Sequence, residues 1–301
     1  MRDFSSCLSE HATNISETTS CSKNSCISPT VTPSTQNVVV NTYKTVLSNH
    51  NHIFITLTWT NTSSQSQSLT ILFNDDQSTT IKLNSNSNSK SLVKKSKGAK
   101  SIVSHSSKIE LHYDLSAARY QSGPEPIDGY YLLISIDSQI ALLLGDVPAK
   151  KLKIKNRTAK SSLISRQEHF SGRAIYSTRA RFCDGGANHE ISIRCVGENE
   201  GLKCPALSVI IDKKIVIRVK RLQWNFRGNQ TIVLEDDDDL VVDLMWNVHD
   251  WFHNPGLGLG CAVFMFRSRS GIDRKLWMEE KMVERDEQDK VEFSLMIYAW
   301  K

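Results

Sequence analysis

What most constrains this chain is a procession of short runs rich in β-branched and aromatic residues, each closed by Asn, Asp, Gly or Ser. "NVVVNTYKTVL", "HIFITLTWTN", "SLTILFN", "STTIKLN", "KIELHYDL", "GYYLLISI" and "QIALLLGDV" follow one another from residue 37 onward. The later half carries "RAIYSTRARF", "HEISIRCV", "ALSVIID", "KIVIRVKRLQWNF", "TIVL", "LVVDLMWNV", "CAVFMFRS" and "VEFSLMIYAW". Runs of this length, with no amphipathic helical stretches between them, predict an all-β fold of antiparallel β-sandwich or barrel-like form. Only "ALLLGDVPAKKLKI" to "SLISRQEHF" and "DRKLWMEEKMVERDEQ" leave room for a short helix or long hairpin.

An internal echo divides these runs into two sets. "IELHYDLSAARYQSGPEPIDGYYLLI" resembles "VVDLMWNVHDWFHNPGLGLGCAVFMF", with Tyr113, Asp114 and Leu115 falling on Trp246, Asn247 and Val248. Upstream, "LTILFND" matches "LSVIIDK", with Leu69 on Leu207 and Asn74 on Asp212, and "IFITLTW" matches "EISIRC". The matched pieces keep their order at offsets of roughly 130 to 138 residues. The expectation is a pseudo-repeat: a first β-module over 37–148, a basic linker over 149–164 and a second β-module over 165–301. Residues 1–36 hold fifteen Ser or Thr and few large apolar side chains. Such a segment buries too little surface to offset its ordering entropy, so it is expected to be a disordered tail.

Composition narrows the function classes. A net charge of +5 over 301 residues is a mild excess, too small to argue for nucleic acid by itself. The basic residues bunch at Lys94, Lys95, Lys97 and Lys100 and again at Lys150, Lys151, Lys153 and Lys155, opposite the acidic run Glu235 to Asp239. Runs of this kind are ordinarily solvated. No window reaches the ~18 consecutive apolar residues of a membrane span, and the first residues lack the apolar core of a secretory signal. An intracellular setting, cytoplasmic or nuclear, is therefore expected. The seven cysteines form no CxxC pair and no zinc-finger spacing, which argues against a disulfide framework and a zinc site.

In "RLQWNFRGNQ", Leu222, Trp224 and Phe226 alternate with Arg221, Gln223, Asn225 and Arg227. Period two predicts a strand with Trp224 and Phe226 on the core face and a tight turn at Gly228. Buried rings cannot stack on bases, so this reading, too, argues against nucleic acid. Trp246 and Trp251 are expected to be structural as well.

"MRDF", "SGPEPIDGYY", "LLLGD", "VKRLQWNFRGNQTI" and "NVHDWFHNPG", with "AVFMFRSRS" and "FSLMIYAWK", together resemble a plant family of uncharacterised proteins, domain of unknown function 868. The resemblance runs over essentially the whole chain beyond the tail. It implies a plant source and an intracellular β-rich protein. It implies no activity, so no catalytic residue carries over. Members tend to have an aromatic-rich strand where this chain has the polar "SNSNSKSLVKK", which predicts a less well packed first half.

Four features invite chemistry. His249, Asp250 and His253 in "HDWFHNPG" have a spacing that binds metal on a helix, but a strand precedes them and a turn signature follows. "GLGLG" lacks the spacing and the strand-then-helix setting of a phosphate loop. Glu125 and Asp128 are paired carboxylates in a Pro-fixed loop, where acids cap turns. The acidic run at 235–239, with Asp75 and Asp76, could supply calcium ligands for membrane-surface binding. No cofactor is called for. The reading that fits best is a non-enzymatic binding or interaction protein whose loops, Ser122 to Gly129 and His249 to Gly260, meet an unknown protein. The alternatives are a carrier of a small apolar ligand inside a barrel, calcium-dependent membrane binding, and an enzyme of unrecognised type.

Overall fold

The computed structural model describes residues 34–61, 67–84, 96–104, 107–146, 157–172, 175–196, 205–234, 240–253, 260–269 and 292–300. Residues 1–33 of the Ser/Thr-rich tail, the polar segment before Ser96, residues 149–156 of the basic linker and the acidic run lie outside the described residues. The fold is all-β. The first half holds β1 (Thr35–Val46), β2 (His52–Asn61), β3 (Gln67–Phe73), β4 (Asp76–Asn84), β5 (Lys97–Ser104), β6 (Ser107–Asp114), β7 (Arg119–Tyr120), β8 (Pro126–Asp128), β9 (Tyr131–Ile136) and β10 (Gln139–Gly145). After β11 (Lys160–Ser171) come β12 (Ile175–Ala180), β13 (His189–Val196), β14 (Ala206–Ile211), β15 (Lys214–Val219), β16 (Arg227–Leu234), β17 (Leu240–Asn247), the short helix α1 (His249–His253), β18 (Cys261–Ser268) and β19 (Ser294–Trp300).

A nine-stranded sheet runs β16-β17-β18-β19-β11-β1-β2-β3-β4, flanked by four-stranded sheets β10-β9-β6-β5 and β12-β13-β14-β15. The order β1-β2-β3-β4 thus recurs as β12-β13-β14-β15, and β5-β6-β9-β10 recurs as β16-β17-β18-β19. One pairing departs from the expected antiparallel pattern: β11 runs parallel to β19. Paired antiparallel with β1 on its other side, β11 lies between the last strand of the second set, β19, and the first strand of the first, β1. Among the described residues no sheet closes on itself, so the barrel-like form expected as one option is not realised.

Local details repeat with the strand order. The turns at Asn74-Asp75, Asp137-Ser138 and Asp212-Lys213 all have positive φ at both central residues, the hairpin geometry that matches strand twist. Asn74 hooks to Phe54 of β2 by its backbone N–H and by its Oδ1, each 2.9 Å. Asp212 hooks in the same way to Glu190 of β13, at 3.0 and 2.9 Å. Gly98 sits opposite Tyr113, and Gly228 sits opposite Trp246. Glycine leaves room for the ring across the ladder: a Cβ on Gly228 would lie 2.2 Å from Trp246.

Two apolar cores form. One takes Val39, Leu57, Trp59 and Ile71 from the long sheet and Leu111, Leu132 and Ile134 from the sheet over it. The other takes Phe170, Leu244, Phe264 and Ile297 together with Tyr176, Ile193 and Val209. Val39 pairs with Glu168 across the ladder, and Phe170 lies two residues beyond Glu168 on the same strand face. Both cores therefore lie on one face of the nine-stranded sheet, and β1 and β11 form the seam between them.

The stretch from 220 to 226 departs from its alternation. Arg221 has φ +54, which ends β15, and Trp224 and Asn225 N–H groups then bond back to the Arg221 carbonyl at 2.9 and 3.1 Å. Leu222 is fully buried, but Trp224 is 77% exposed and Phe226 only partly buried. The expectation of a core-facing Trp224 is corrected: period two occurred inside a turn. Gly228 is corrected as well, since it lies within β16 and serves the approach of Trp246 rather than a turn. Trp251 is buried, edge-on to Tyr176, and Trp246 packs on the second core.

Candidate functional site

The seam carries buried charge where the cores carry hydrocarbon. In β11, Arg166 and Glu168 are in phase with Phe170 and so face inward, and Asn41 of β1 pairs with Arg166 across the ladder. The Arg166 side chain is 18% exposed and that of Glu168 is wholly buried. Arg166 Nη1 donates to Glu125 Oε2 at 2.7 Å and to Asn41 Oδ1 at 3.1 Å. Its Nε donates to Glu168 Oε1, which also accepts from Thr178 Oγ1 of β12 at 2.7 Å. Asn41 Nδ2 completes the ring by donating to Glu125 Oε1 at 2.8 Å. Three segments distant in sequence (β1, the loop before β8 and β11) thus meet at one guanidinium, and β12 joins them through Glu168. Glu168 Oε2 is buried without a hydrogen-bond partner.

Burial disfavours the Arg166 charge, but the Glu168 and Glu125 carboxylates more than offset it, and the guanidinium is held above its ordinary value. Burial, then the Glu125 charge, raises the neighbouring Tyr43 phenol far above the usual range. The same causes, burial first, push Tyr130 up to about 12. Both phenols are neutral donors at physiological pH.

Beside the network lies a cavity of about 280 Å³ lined by Leu163 and Arg166 of β11, by Arg179 to Arg181, Cys183 and Asp184 at and beyond the end of β12, and by Asn188 and Phe293. The side chains of Arg179 and Arg181 are exposed and form no ion pair or hydrogen bond with another described residue. Asp184 is the one carboxylate among the lining residues, and its Oδ2 accepts from Ser162 Oγ at 3.2 Å. Donors therefore outnumber acceptors around an opening that also has an apolar wall.

The residues singled out from sequence fall into separate places. Glu125 joins the seam network. Asp128 turns away from it and pairs with Arg119 across β7 and β8, so the two carboxylates do not converge. Gly129 (φ +69) shapes that loop, because a Cβ there would meet the Ala117 carbonyl at 2.2 Å. His249 and Asp250 sit on α1 at the far end of β17, with His249 Nδ1 2.9 Å from Asp250 Oδ1. The expectation of a non-helical corner there is corrected: residues 249–253 make a helix of just over one turn. The His253 side chain, the acidic run and Gly256 to Leu259 lie outside the described residues. Among the described residues no group of three His, Cys, Asp or Glu is placed to hold a metal. Asp75 is an exposed turn residue, and Asp76 accepts hydrogen bonds from Ser78.

Arg166, Glu168, Asn41, Arg179 and Arg181 escaped the sequence reading. A signal existed for two of them, since "SRQEHF" sets Arg166 and Glu168 at the period of the buried Phe170.

A family profile described as plant protein of unknown function (DUF868) matches residues 34–301. No curated protein and no solved structure matches the chain.

Proposed function

We propose, from the premise that this chain belongs to the plant DUF868 family of proteins of unknown function, that it is a non-enzymatic binding protein. Its scaffold is a pair of β-sandwich modules, about 37–148 and 165–301, derived from one ancestral unit by duplication. The recurrence of strand order, the matched hooks at Asn74 and Asp212 and the matched glycine–aromatic pairs at Gly98–Tyr113 and Gly228–Trp246 support that reading. The free thiol Cys261 supports an intracellular, reducing setting.

The observation that carries the binding reading is the contrast between the engaged acids and the open arginines. Glu125 and Asp128 are each tied to an arginine, and His249 is tied to Asp250. Such pairs fix loops and occupy the groups that the sequence offered for proton transfer. Arg179 and Arg181, in contrast, border a cavity with hydrogen-bonding capacity to spare. Rigid sheets that present function from their loops and ends are a common binding architecture. The alternative of an apolar carrier loses its premise, because no sheet closes around a lumen among the described residues.

The test is a thermal-shift screen of the purified chain against plant metabolite pools, followed by mass spectrometry of what is retained. Binding predicts a concentration-dependent rise in Tm with the ligand recovered chemically unchanged. Recovery of a transformed product in excess of protein would establish an enzyme instead.

A further inference from the structure

We propose that the cavity beside Arg166 is a binding site for an oxyanion, phosphate or carboxylate, carried on a small apolar body.

Three observations lead there. First, the lining holds three guanidinium-bearing residues against one carboxylate, and two of the three, Arg179 and Arg181, form no ion pair with a described residue, although Glu190 stands opposite Arg179 on the ladder. Arginine presents donors in a planar fork that matches the two oxygens of a carboxylate or phosphate. Second, Arg166 is fixed before any ligand arrives. Its Nη1 and Nε are held by Glu125, Asn41 and Glu168, so the face it turns to the cavity is set by the sheet. Its own charge is largely offset by those two carboxylates, and the surplus positive charge rests with Arg179 and Arg181. A preorganised donor of this kind loses little side-chain entropy on binding. Third, Leu163, Ala180 and Phe293 give the opening an apolar wall, and about 280 Å³ lies just below the range typical of drug-sized ligands. The fit is to a small organic anion rather than to a polymer or a nucleotide.

The place of the site in the fold adds to the argument. The cavity adjoins the contact between β12 and the central strand β11, where Thr178 of one sheet reaches Glu168 of the other. A ligand seated on Arg166 and Arg181 bridges the two layers of the second half.

Phenyl phosphate, benzoate and inorganic phosphate are titrated into the full chain and followed by Tm and by calorimetry, with sodium chloride matched for ionic strength. The site predicts a saturable shift with the two aromatic anions and a weaker one with inorganic phosphate. Whichever aromatic anion binds more tightly identifies the oxyanion. Arg181→Gln and Arg179→Gln change exposed side chains, so the ligand-free Tm is expected to stay put. Arg181→Gln should weaken binding about tenfold or more, the effect of losing one charge-assisted hydrogen bond. No saturable shift with any of the three, or equal affinity in wild type and both variants, overturns the site. That failure would leave the broader binding reading standing, since the metabolite screen does not depend on this cavity. Release of phenol from phenyl phosphate by wild type but not by Arg181→Gln would support the site and overturn the non-enzymatic reading.

Discussion

Replacing Arg166 by Met tests the seam most severely. Methionine fills much of the same volume but removes every donor that Arg166 offers to Glu125, Asn41 and Glu168. Glu125, 24% exposed, keeps the Asn41 amide and some water. Glu168 fares worse: its side chain is wholly buried, Oε2 already lacks a partner, and only Thr178 would remain on Oε1. Breaking one side of a buried ion pair costs roughly 3–5 kcal/mol. Glu125's access to water places the expected loss near the lower end, about 3 kcal/mol. For a folded unit of this size that corresponds to a Tm drop of roughly 6–12 °C. Urea unfolding at pH 7, followed by circular dichroism, measures it. The double variant Arg166→Met with Glu168→Leu removes the stranded charge, and exchanging a buried pair for hydrocarbon is often neutral. It should recover most of the loss. A single variant within about 1 kcal/mol of wild type, or a double variant no better than the single, would refute the reasoning.

Gly228→Ala drives a methyl into the Trp246 ring and strains its Nε1 hydrogen bond to the Asn225 carbonyl, at a cost of about 1–3 kcal/mol; most of that cost should vanish in a Trp246→Leu background, and strict additivity in the double-mutant cycle would contradict the contact. Trp224→Ala should shift stability by less than about 0.5 kcal/mol and remove the fluorescence component most readily quenched by iodide, whereas a core position would lose roughly 3–5 kcal/mol. Asp243 accepts two hydrogen bonds from Arg269, the larger cause, and one from Thr231, which hold its carboxyl below the ordinary value. Its folded value is depressed, so the stabilisation is full above the unfolded value of about 3.9 and is lost as pH falls through the folded one; Asp243→Asn should flatten that acid limb, and parallel acid-unfolding curves would count against it. His169, stacked on Tyr298 at 4.7 Å, is held by burial below its ordinary value, so the folded state resists its protonation and stability should fall as pH drops below about 6.5. In His169→Phe that loss should be smaller, and an unchanged pH profile would exclude the contribution.

Much of the sheet structure was legible because it depends on alternation over a few residues. "HIFITLTW" puts Ile55, Leu57 and Trp59 inward, and the structure buries all three. The likeness of Tyr113 to Trp246 was legible too, and both turn out to lie over a glycine of the neighbouring strand. Trp224 misled because alternation counts residues and not backbone angles: one left-handed residue, Arg221, converts the same letters into a turn. The helix at 249–253 was missed for the converse reason, since the strand before it and the Asn-Pro-Gly after it left little length for one. Least legible was the candidate site. Arg166 has its meaning only through Asn41, Glu125 and Thr178, and register across β1 and β11 is a long-range property that no local period encodes. Glu125 was noticed for its proximity in sequence to Asp128, yet its partners lie 84 residues behind it at Asn41 and 41 residues ahead at Arg166.

The pairing of β1 with β11 joins the two halves, separates the two cores and assembles the arginine network. Val40 and Gln167 are partners in that ladder and both point away from the cores. A cysteine pair at those positions should oxidise readily to a disulfide in the folded chain, while Val40→Cys with Ser165→Cys, one step out of register on the same face, should cross-link far less. Cross-linking at neither pair, or preferentially at the out-of-register one, would show that the two halves do not meet along this seam.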